Sequence, residues 1–590
     1  MNVMFYSANF TQIITLIFVL LIFIAAFLVY NKKISFAMLI KKLTHTKEYI
    51  VIVGLSKIGL RLALDSKEQA KNVVVLSESG ENTLSDQLKL KGIQVINVKN
   101  INESALRKAR LTKASSCLIV TEDEEHNINI SNLITDIIKK NGAKNKLQLI
   151  VQVENWYSRN LLIDQVSAFS STNNLSIRFF DFHHNSAKLV YDKFPPHKFI
   201  NDETRLNNQK VICVIGKNAT AESFILENTI LSQFQNSESL KIMVFAKNSD
   251  VWISSIRQKF PFIDDYIILE PIELVNSSFS NYENWSTSFK NNLLKIDAAY
   301  FFGQEDAEVI SKSLYFKQFL YNHTGSLRKV PLIVVIPDNT SIFSLLSKGK
   351  NQNSSIVEKY RDELLIHIVR EVYDSCTYQY LISQNHIEAQ SKAINYFYSI
   401  SYEFDSILNQ HFKKSNNSTI LSALHQKYIS FKIKKGSPLE QLEALVIDEL
   451  VRYTKNSKYR VKHFFGIDES WNRVTERNKE SNRYIARHLP VKVAILKQLN
   501  ITELTKQNLK NKMSILAPIE HNRWSAEKFI AGFSSGKLPN NDASLKKIIK
   551  NTLKIHDQLG KLDSLHDMNQ EKDIELFMII PLLQKLNDSI

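Results

Sequence analysis

Hydrophobic and polar positions fall into three successive patterns along this chain. The first is one uncharged run, Thr11 to Tyr30 (TQIITLIFVLLIFIAAFLVY). Its length suits a single helix across the hydrocarbon core of a bilayer. The second pattern consists of short β-branched runs that end in glycine and alternate with helical periodicity. Tyr49-Ile-Val-Ile-Val runs into Gly54, and Gly59 opens an apolar-periodic helix. That order predicts a buried parallel strand, a tight turn and a helix N-terminus. Further strands are expected at Asn72–Leu76, Gln94–Val98, Ser116–Val120 and Leu147–Val153, with helices over Glu103–Ala109 and Asn127–Lys140. The pattern restarts at Lys210-Val-Ile-Cys-Val-Ile-Gly216. A helix over Ala219–Leu231 follows, then strands at Leu240–Phe245, Tyr266–Leu269, Ala298–Phe302 and Val330–Ile336. After Asn416-Asn417-Ser418 the third pattern is helical.

Alternating strands and helices imply parallel sheets covered on both faces. The expected fold is α/β: one N-terminal transmembrane helix, two Rossmann-like parallel-sheet domains and a mainly α-helical C-terminal domain. The expected divisions are a short extracytoplasmic terminus (1–10), the transmembrane helix (11–30), a basic linker (31–46), a first sheet domain (47–200), a second (208–400) and the helical domain (415–590). His184–Asp192 is echoed by His386–Ile394, with His and Ala three apart in both. An internal repeat of roughly 160–200 residues is the simplest account.

Composition narrows this picture. A chain of 590 residues should hold several domains. The net charge of +16 is spread along the sequence, without an Arg-rich run interleaved with aromatics. It reads as a solvated basic surface facing anionic lipid or nucleotides, and no nucleic acid is expected. Three distant cysteines, Cys117, Cys213 and Cys376, exclude a disulfide scaffold and a Cys-based zinc site, and fit a reducing compartment. Lys32, Lys33, Lys41 and Lys42 follow the apolar run. The positive-inside rule then predicts a single pass of the cytoplasmic membrane with residues 31–590 in the cytoplasm. A cleaved signal peptide is disfavoured, because residues 1–10 carry no Lys or Arg. One helix makes no pore, so a channel would need several copies.

Two places carry candidate chemistry. Gly54-Leu55-Ser56-Lys57-Ile58-Gly59 fits G-x-G-x-x-G except at Ser56, where a middle glycine would let backbone approach a pyrophosphate. Such a turn aims N–H groups and the helix dipole at a phosphate. Glu78 follows about 20 residues on, where a ribose-binding carboxylate belongs. Gly54, Ser56, Gly59 and Glu78 are the candidate cofactor contacts. Gly216 lacks a partner glycine at the matching offset, so the second copy reads as structural. In the helical domain, Trp471–Lys492 and Ala517–Phe533 are dense in polar groups. Asn482, Arg483 and His488 lie within two helical turns. Glu520, Arg523, Trp524 and Glu527 recur at three- and four-residue spacing and can share a helix face. Trp stacks, Arg pairs with phosphate and Glu accepts from an exocyclic amine. Candidate ligand contacts are therefore Trp471, Asn482, Arg483, His488, Lys492, Glu520, Arg523 and Trp524. No catalytic constellation or metal-ligand spacing is evident, so neither is assigned. His183 and His184 are adjacent on a helix and do not face one ion.

The glycine turn, Gly92-Ile-Gln-Val-Ile96, the helix Asn102–Ala109, Cys117-Leu-Ile-Val-Thr-Glu-Asp-Glu124 and Val151-Gln-Val-Glu154 resemble the RCK domain. This is the Rossmann-type regulatory domain of potassium channels and Trk-type transporters. Where that family has Gly-Asp after its third strand, Lys99-Asn100 stands here. The resemblance implies a homo-oligomer, a dimer or tetramer, and an adenine-containing nucleotide as ligand. Glu480-Ser-Asn-Arg483, His488-Leu-Pro-Val-Lys492 and Glu520-His-Asn-Arg-Trp524 resemble the RyR domain, named after ryanodine receptors. Together with an anchor, these resemblances imply a non-enzymatic sensor-effector. It would bind a nucleotide-like second messenger and alter membrane integrity through its transmembrane helices, as in type III CRISPR-like antiviral defence. The alternative implied by RCK alone is a regulatory subunit of a potassium channel or transporter.

Overall fold

The structure is a computed structural model that describes residues 20–22, 49–78, 83–141, 146–169, 175–199, 209–234, 239–274, 285–326, 330–337, 364–383, 385–403, 423–424, 426–428, 430–432, 437–454, 466–539, 542–560 and 567–589. The expected terminus 1–10, transmembrane helix and basic linker lie outside the described residues, except Leu20–Ile22, which are helical and exposed. Among the described residues, no helix is long and apolar enough to cross a membrane.

Contacts divide the chain into two compact units, Met1–Gln152 with Thr172–Arg178, and Val153–Ser171 with Phe179–Ile590. The first is built on β1 (Tyr49–Val53), β2 (Asn72–Ser77), β3 (Gln94–Asn97), β4 (Ser116–Ile119), β5 (Leu147–Gln152) and β6 (Leu175–Phe180). Their order is β3-β2-β1-β4-β5-β6. That is the doubly wound Rossmann order, with its crossover beside β1. β1 is central: Ile52 pairs with Val75 on one side and Leu118 on the other, both in parallel. All five of its residues are buried, as expected of an unbroken apolar strand covered on both faces. Helices α1 (Lys57–Glu68), α2 (Thr83–Leu90), α3 (Glu103–Lys108) and α4 (Glu124–Asn141) fill the crossovers.

The second unit begins with α5 (Trp156–Phe169) and α6 (Phe182–Lys193). Its sheet contains β7 (Val211–Ile215), β8 (Leu240–Ala246), β9 (Ile267–Glu273), β10 (Ala298–Phe301), β11 (Leu332–Ile336) and β12 (Ile366–Arg370). Helices α7 (Ala219–Leu231), α8 (Ser249–Lys259), α9 (Thr287–Leu293) and α10 (Asp306–Thr324) alternate with the strands. The order β9-β8-β7-β10-β11-β12 repeats that of the first sheet strand for strand. Proline is tolerated in β9, at Pro271, because that strand lies at the edge. The helix α6, counted with the first domain in the sequence, buries Ala187, Leu189, Val190 and Tyr191 in the core of the second sheet.

The rest of the second unit is helical: α11 (Glu371–Ser375), α12 (Asn385–Tyr398), α13 (Pro438–Thr454), α14 (Ile467–Arg473), α15 (Glu476–Arg487), α16 (Leu489–Gln498), α17 (Lys506–Lys510), α18 (Met513–Ile530), α19 (Ala543–Ile548), α20 (Asp567–Met578) and α21 (Ile580–Ser589). Two short strands, β13 (Ser534–Ser535) and β14 (Ile555–His556), pair in parallel among them. One core gathers Ala393, Phe397, Ile485, Leu489, Leu516, Phe577 and Leu583. Tyr484 and Ala526 face the other way, into the core of the sheet. Phe529 of α18 also stacks on Phe262 at 4.6 Å.

Candidate functional site

The first glycine turn has the geometry its sequence demands. Gly54 takes φ +105° and donates its N–H to Leu76 O at 2.9 Å. A β-carbon there would lie 2.7 Å from Thr121 N and 2.8 Å from Val120 C, so only glycine fits. A β-carbon on Gly59 would strike Gly54 O, which explains the second glycine at the first turn of α1. Ser56 is the N-cap of α1: its Oγ accepts from Gly59 N at 3.2 Å and donates to Val120 O at 2.7 Å. The hydroxyl thus ties the turn to the end of β4, at the position where the dinucleotide fingerprint has bare backbone.

Glu78 stands just beyond β2, where a ribose-binding carboxylate is expected, but both oxygens hold parts of its own chain. Oε1 accepts the Ile101 N–H at 2.6 Å, and Oε2 lies 2.8 Å from His126 Nε2. A ribose at Glu78 would compete with these two groups. Asn127 completes the rim: Oδ1 accepts from Thr121 N, and Nδ2 donates to Gln152 O.

The second turn repeats the first with other residues. Gly216 has φ +97° and donates to Phe245 O at 2.8 Å. Two residues on, Asn218 caps α7 through Ala221 N and donates Nδ2 to Gly303 O at 3.1 Å. Each N-cap side chain therefore ties its turn to the end of the fourth strand of its own sheet. Glu371, buried, lies beside Thr220 in the first turn of α7. Burial holds its carboxyl above the usual range, against the opposing pull of Thr220 and His183. A carboxyl already sits at this helix start.

In the helical domain the expected ligand contacts separate into three groups. Trp471 and Arg483 belong to the first. Trp471 is buried and donates Nε1 to Glu388 Oε1 at 3.0 Å. Arg483 donates Nε to Glu388 Oε2 at 3.0 Å, and Nη1 to Glu476 at 2.7 Å and Glu480 at 3.1 Å. Three carboxylates thus occupy the guanidinium expected to meet a phosphate. Asn482 is buried beside it on α15.

The second group is Lys492, Glu520, Arg523 and His488. Arg523 donates Nε to Glu520 Oε1 at 2.9 Å and Nη1 to Glu527 Oε2 at 2.8 Å. Lys492 Nζ lies 2.6 Å from Glu520 Oε2, with each side chain 2% exposed. Neither atom makes a hydrogen bond of ordinary geometry. Burial pulls the Lys492 ammonium down, and Glu520 only partly restores it. Burial acts to raise Glu520, but Arg523 and Lys492 together hold it below the usual carboxylate range. His488 is fully buried, with the Gln233 backbone beside it, and neither ring nitrogen makes a hydrogen bond of ordinary geometry. Burial, then Lys492, Arg523 and His197, push this ring far below the usual histidine range, so it is neutral.

Trp524 stands apart from both groups. It is half-buried against His521 (5.5 Å) and His556 (5.1 Å, edge-on). His521 in turn donates Nε2 to Gly560 O at 3.0 Å. The helix face inferred for Glu520, Arg523, Trp524 and Glu527 therefore divides: the charged residues pair with one another, and the indole meets imidazoles.

The sequence reading missed a third buried network. Glu227, fully buried on α7, meets Arg487 Nη1 and His184 Nε2 at 2.6 Å and the Tyr484 hydroxyl at 2.8 Å. Arg487 also donates Nε to Asp192 at 2.9 Å, and Asp192 accepts from Tyr380 at 3.1 Å. The signal that could have found it is Glu227 itself, a carboxylate set among Phe224, Ile225, Leu226, Ile230 and Leu231 in the apolar second half of the helix Ala219–Leu231. Among the described residues, no cluster of three or more His, Cys, Asp or Glu is placed to hold a metal ion.

Comparison with known proteins assigns the first sheet. Residues 50–166 match the TrkA-N domain family. No curated protein matches the sequence. Solved structures with some likeness include a dipicolinate synthase from Bacillus halodurans, at 10% identity and a TM-score of 0.21, covering 57% of this chain and 92% of that one. The dipicolinate synthase from Bacillus subtilis shares 9% identity at a TM-score of 0.18, covering 56% and 89%. A glycosyltransferase from Rickettsia africae ESF-5 shares 11% identity at a TM-score of 0.19, covering 70% and 100%. Such scores carry no functional argument. The glycine turn, the strand order and the family match agree on one point: residues 50–166 form a TrkA-N domain, an RCK-like Rossmann fold that supports a regulatory, nucleotide-binding role.

Proposed function

We propose that this chain is a membrane-anchored, non-enzymatic regulatory protein that binds a nucleotide-like ligand and converts binding into a membrane event through self-association. The observation that carries the reading is the TrkA-N domain with its glycine-only turn at Gly54. The apolar run Thr11–Tyr30 supports the anchor. A ligand shifts such an assembly only through different affinities for its two states.

Within the helical domain, His488, beside Lys492, is the residue best suited to an anionic ligand group. Arg483 and Arg523 are saturated by carboxylates. Lys492 Nζ is paired with Glu520 Oε2 at 2.6 Å, whereas the buried ring nitrogens of His488 make no hydrogen bond of ordinary geometry, and such atoms call for a partner. The RyR-like segments and the anchor extend this reading to second-messenger-driven antiviral effectors. A second reading, a regulatory subunit of a potassium channel or transporter, rests on the TrkA-N match and requires a separate pore-forming partner.

The test is native mass spectrometry of the detergent-solubilised full chain with NAD, ATP, cyclic di- and oligonucleotides, and adenylated S-adenosylmethionine. Stoichiometric binding of a signalling nucleotide, lost in Lys492→Met with the oligomer intact, is the expected result. Binding of only ATP or NAD, sensitive to Gly54→Ala, favours the transport-regulator reading. Absence of binding to every member of the panel overturns both.

A further inference from the structure

The segment from α19 through a following wide turn, Ile549–Leu553, presents its apolar side chains outward. Leu545, Ile548 and Leu553 are 44%, 57% and 61% exposed. At helical spacing, Leu545, Ile548, Ile549 and Thr552 fall on one face. Several of the lysines turn the other way. Lys546 and Lys550 approach Asp557 at 3.8 and 3.9 Å, and Lys554 Nζ lies 2.6 Å from Asp164 and donates to Ala531 O at 3.1 Å. Lys550 also meets His556 Nε2 at 3.1 Å. These lysines fasten the segment to the domain, and three large aliphatic side chains are left in solvent. Exposed aliphatic groups this close together in the chain are the kind of feature an interaction surface presents.

We infer that Ala543–Leu553 docks on an anionic lipid bilayer. Four lysines (Lys546, Lys547, Lys550, Lys554) and no acidic residue lie between positions 543 and 556. Asp557 and Asp164 are the two carboxylates that approach Lys546, Lys550 and Lys554, so the four ammonium groups leave the segment net positive, with Lys547 exposed. That surplus complements an anionic headgroup layer, and the aliphatic face suits the boundary between headgroups and acyl chains. Lysine stems are long enough to lie along apolar surface with the ammonium at the headgroups. The uncharged run Thr11–Tyr30 supplies the bilayer: a chain anchored there keeps its folded part within reach of the surface. The inference draws on the proposed anchor only for that proximity.

Thr552→Cys places a thiol on the exposed face for an environment-sensitive fluorophore, because the three native cysteines are buried. The labelled full chain is reconstituted with vesicles of phosphatidylcholine alone and with added phosphatidylglycerol. The expected result is a blue shift and quenching by doxyl-lipids on the anionic vesicles. Both should weaken at about 1 M salt, where the Debye length falls to about 3 Å. Both should vanish in Leu545→Gln/Ile548→Gln/Leu553→Gln. An unshifted probe on anionic vesicles overturns the inference. So does a shift that follows protein concentration instead of lipid composition, which would assign the face to a second copy of the chain. Flotation with neutral vesicles reports the anchor separately. Loss of flotation with the anionic shift retained would remove the anchor and leave the docking surface standing.

Discussion

Arg487 of α15 donates to Glu227 of α7 at 2.6 Å, with the arginine side chain 5% exposed and the glutamate fully buried. The two residues are 260 positions apart, and the pair joins the helical domain to the second Rossmann sheet. Tyr484 and His184 complete the shell around the carboxylate. A buried pair of this kind need not add net stability, but removing one partner strands the other. Glu227→Ala and Arg487→Met should each lower stability by about 3–5 kcal/mol. Urea unfolding of the full chain checks this. A double replacement by apolar residues should recover much of the loss, and full additivity of the two losses would contradict the coupling.

Acid should weaken the second unit in two steps. Glu227 is held down to about 2, because Arg487 and His184 outweigh the effect of burial. Its folded value lies below the unfolded one, so its contribution is complete above about 4.5 and is lost as pH falls through about 2. Burial, reinforced by Lys198, pushes His197 down to about 4. A histidine held neutral contributes stability above its ordinary value of about 6.5 and loses it as pH falls toward about 4. Stability should therefore decline below pH about 6.5. Thermal melts from pH 7 to 3 should show a shallower decline in His197→Gln over the upper window. Glu227→Gln should flatten the lower one.

The two turn glycines should not tolerate a side chain. Gly54→Ala and Gly216→Ala each place an L-residue at strongly positive φ against strand-end backbone. Strain of this class costs about 1–3 kcal/mol, before any steric shift is counted. Circular dichroism melts should show both losses. A neutral Gly54→Ala would mean that the turn relaxes, and would remove the reason for glycine there.

Ser56→Gly restores the full glycine fingerprint. Loss of the N-cap costs a few tenths of a kcal/mol, and loss of the bond to Val120 O about 1 kcal/mol. The same change frees backbone for a pyrophosphate. Calorimetric titration should show tighter NAD or ADP binding in Ser56→Gly and no gain in Ser56→Ala, which lacks the extra backbone freedom. Equal affinities in the two variants would show that Ser56 does not limit the turn.

Legibility was greatest where structure is local. The strands nearest the centre of each sheet are unbroken apolar runs, and their glycines and N-caps lie within a few residues of the strand ends. β6 (LSIRFF) and β12 (IHIVR) were missed. Both are edge strands with one face half-exposed, so polar residues interrupt the hydrophobic signal. β9 was seen only at its start, since Pro271 argues against a strand except at an edge.

The candidate sites divide in the same way. Gly54, Ser56 and Gly59 do what their spacing implies, because a strand, a turn and a helix cap are decided within one short segment. The charged residues do not, because a charge takes its role from whatever lies within a few ångströms. Glu78 meets Ile101 and His126. Arg483 meets Glu388, 95 positions away. Arg523 meets carboxylates on its own helix, which spacing alone permits but does not require. Local pattern was enough to specify two Rossmann repeats, their glycine turns and a helical end. Packing across the fold was needed to settle which ionic groups satisfy one another, as Arg483 and Arg523 do with their carboxylates. It also paired Lys492 with Glu520 and left the His488 ring nitrogens without a bond of ordinary geometry. The reason is that desolvation and Coulomb energies depend on distances that only the folded chain sets.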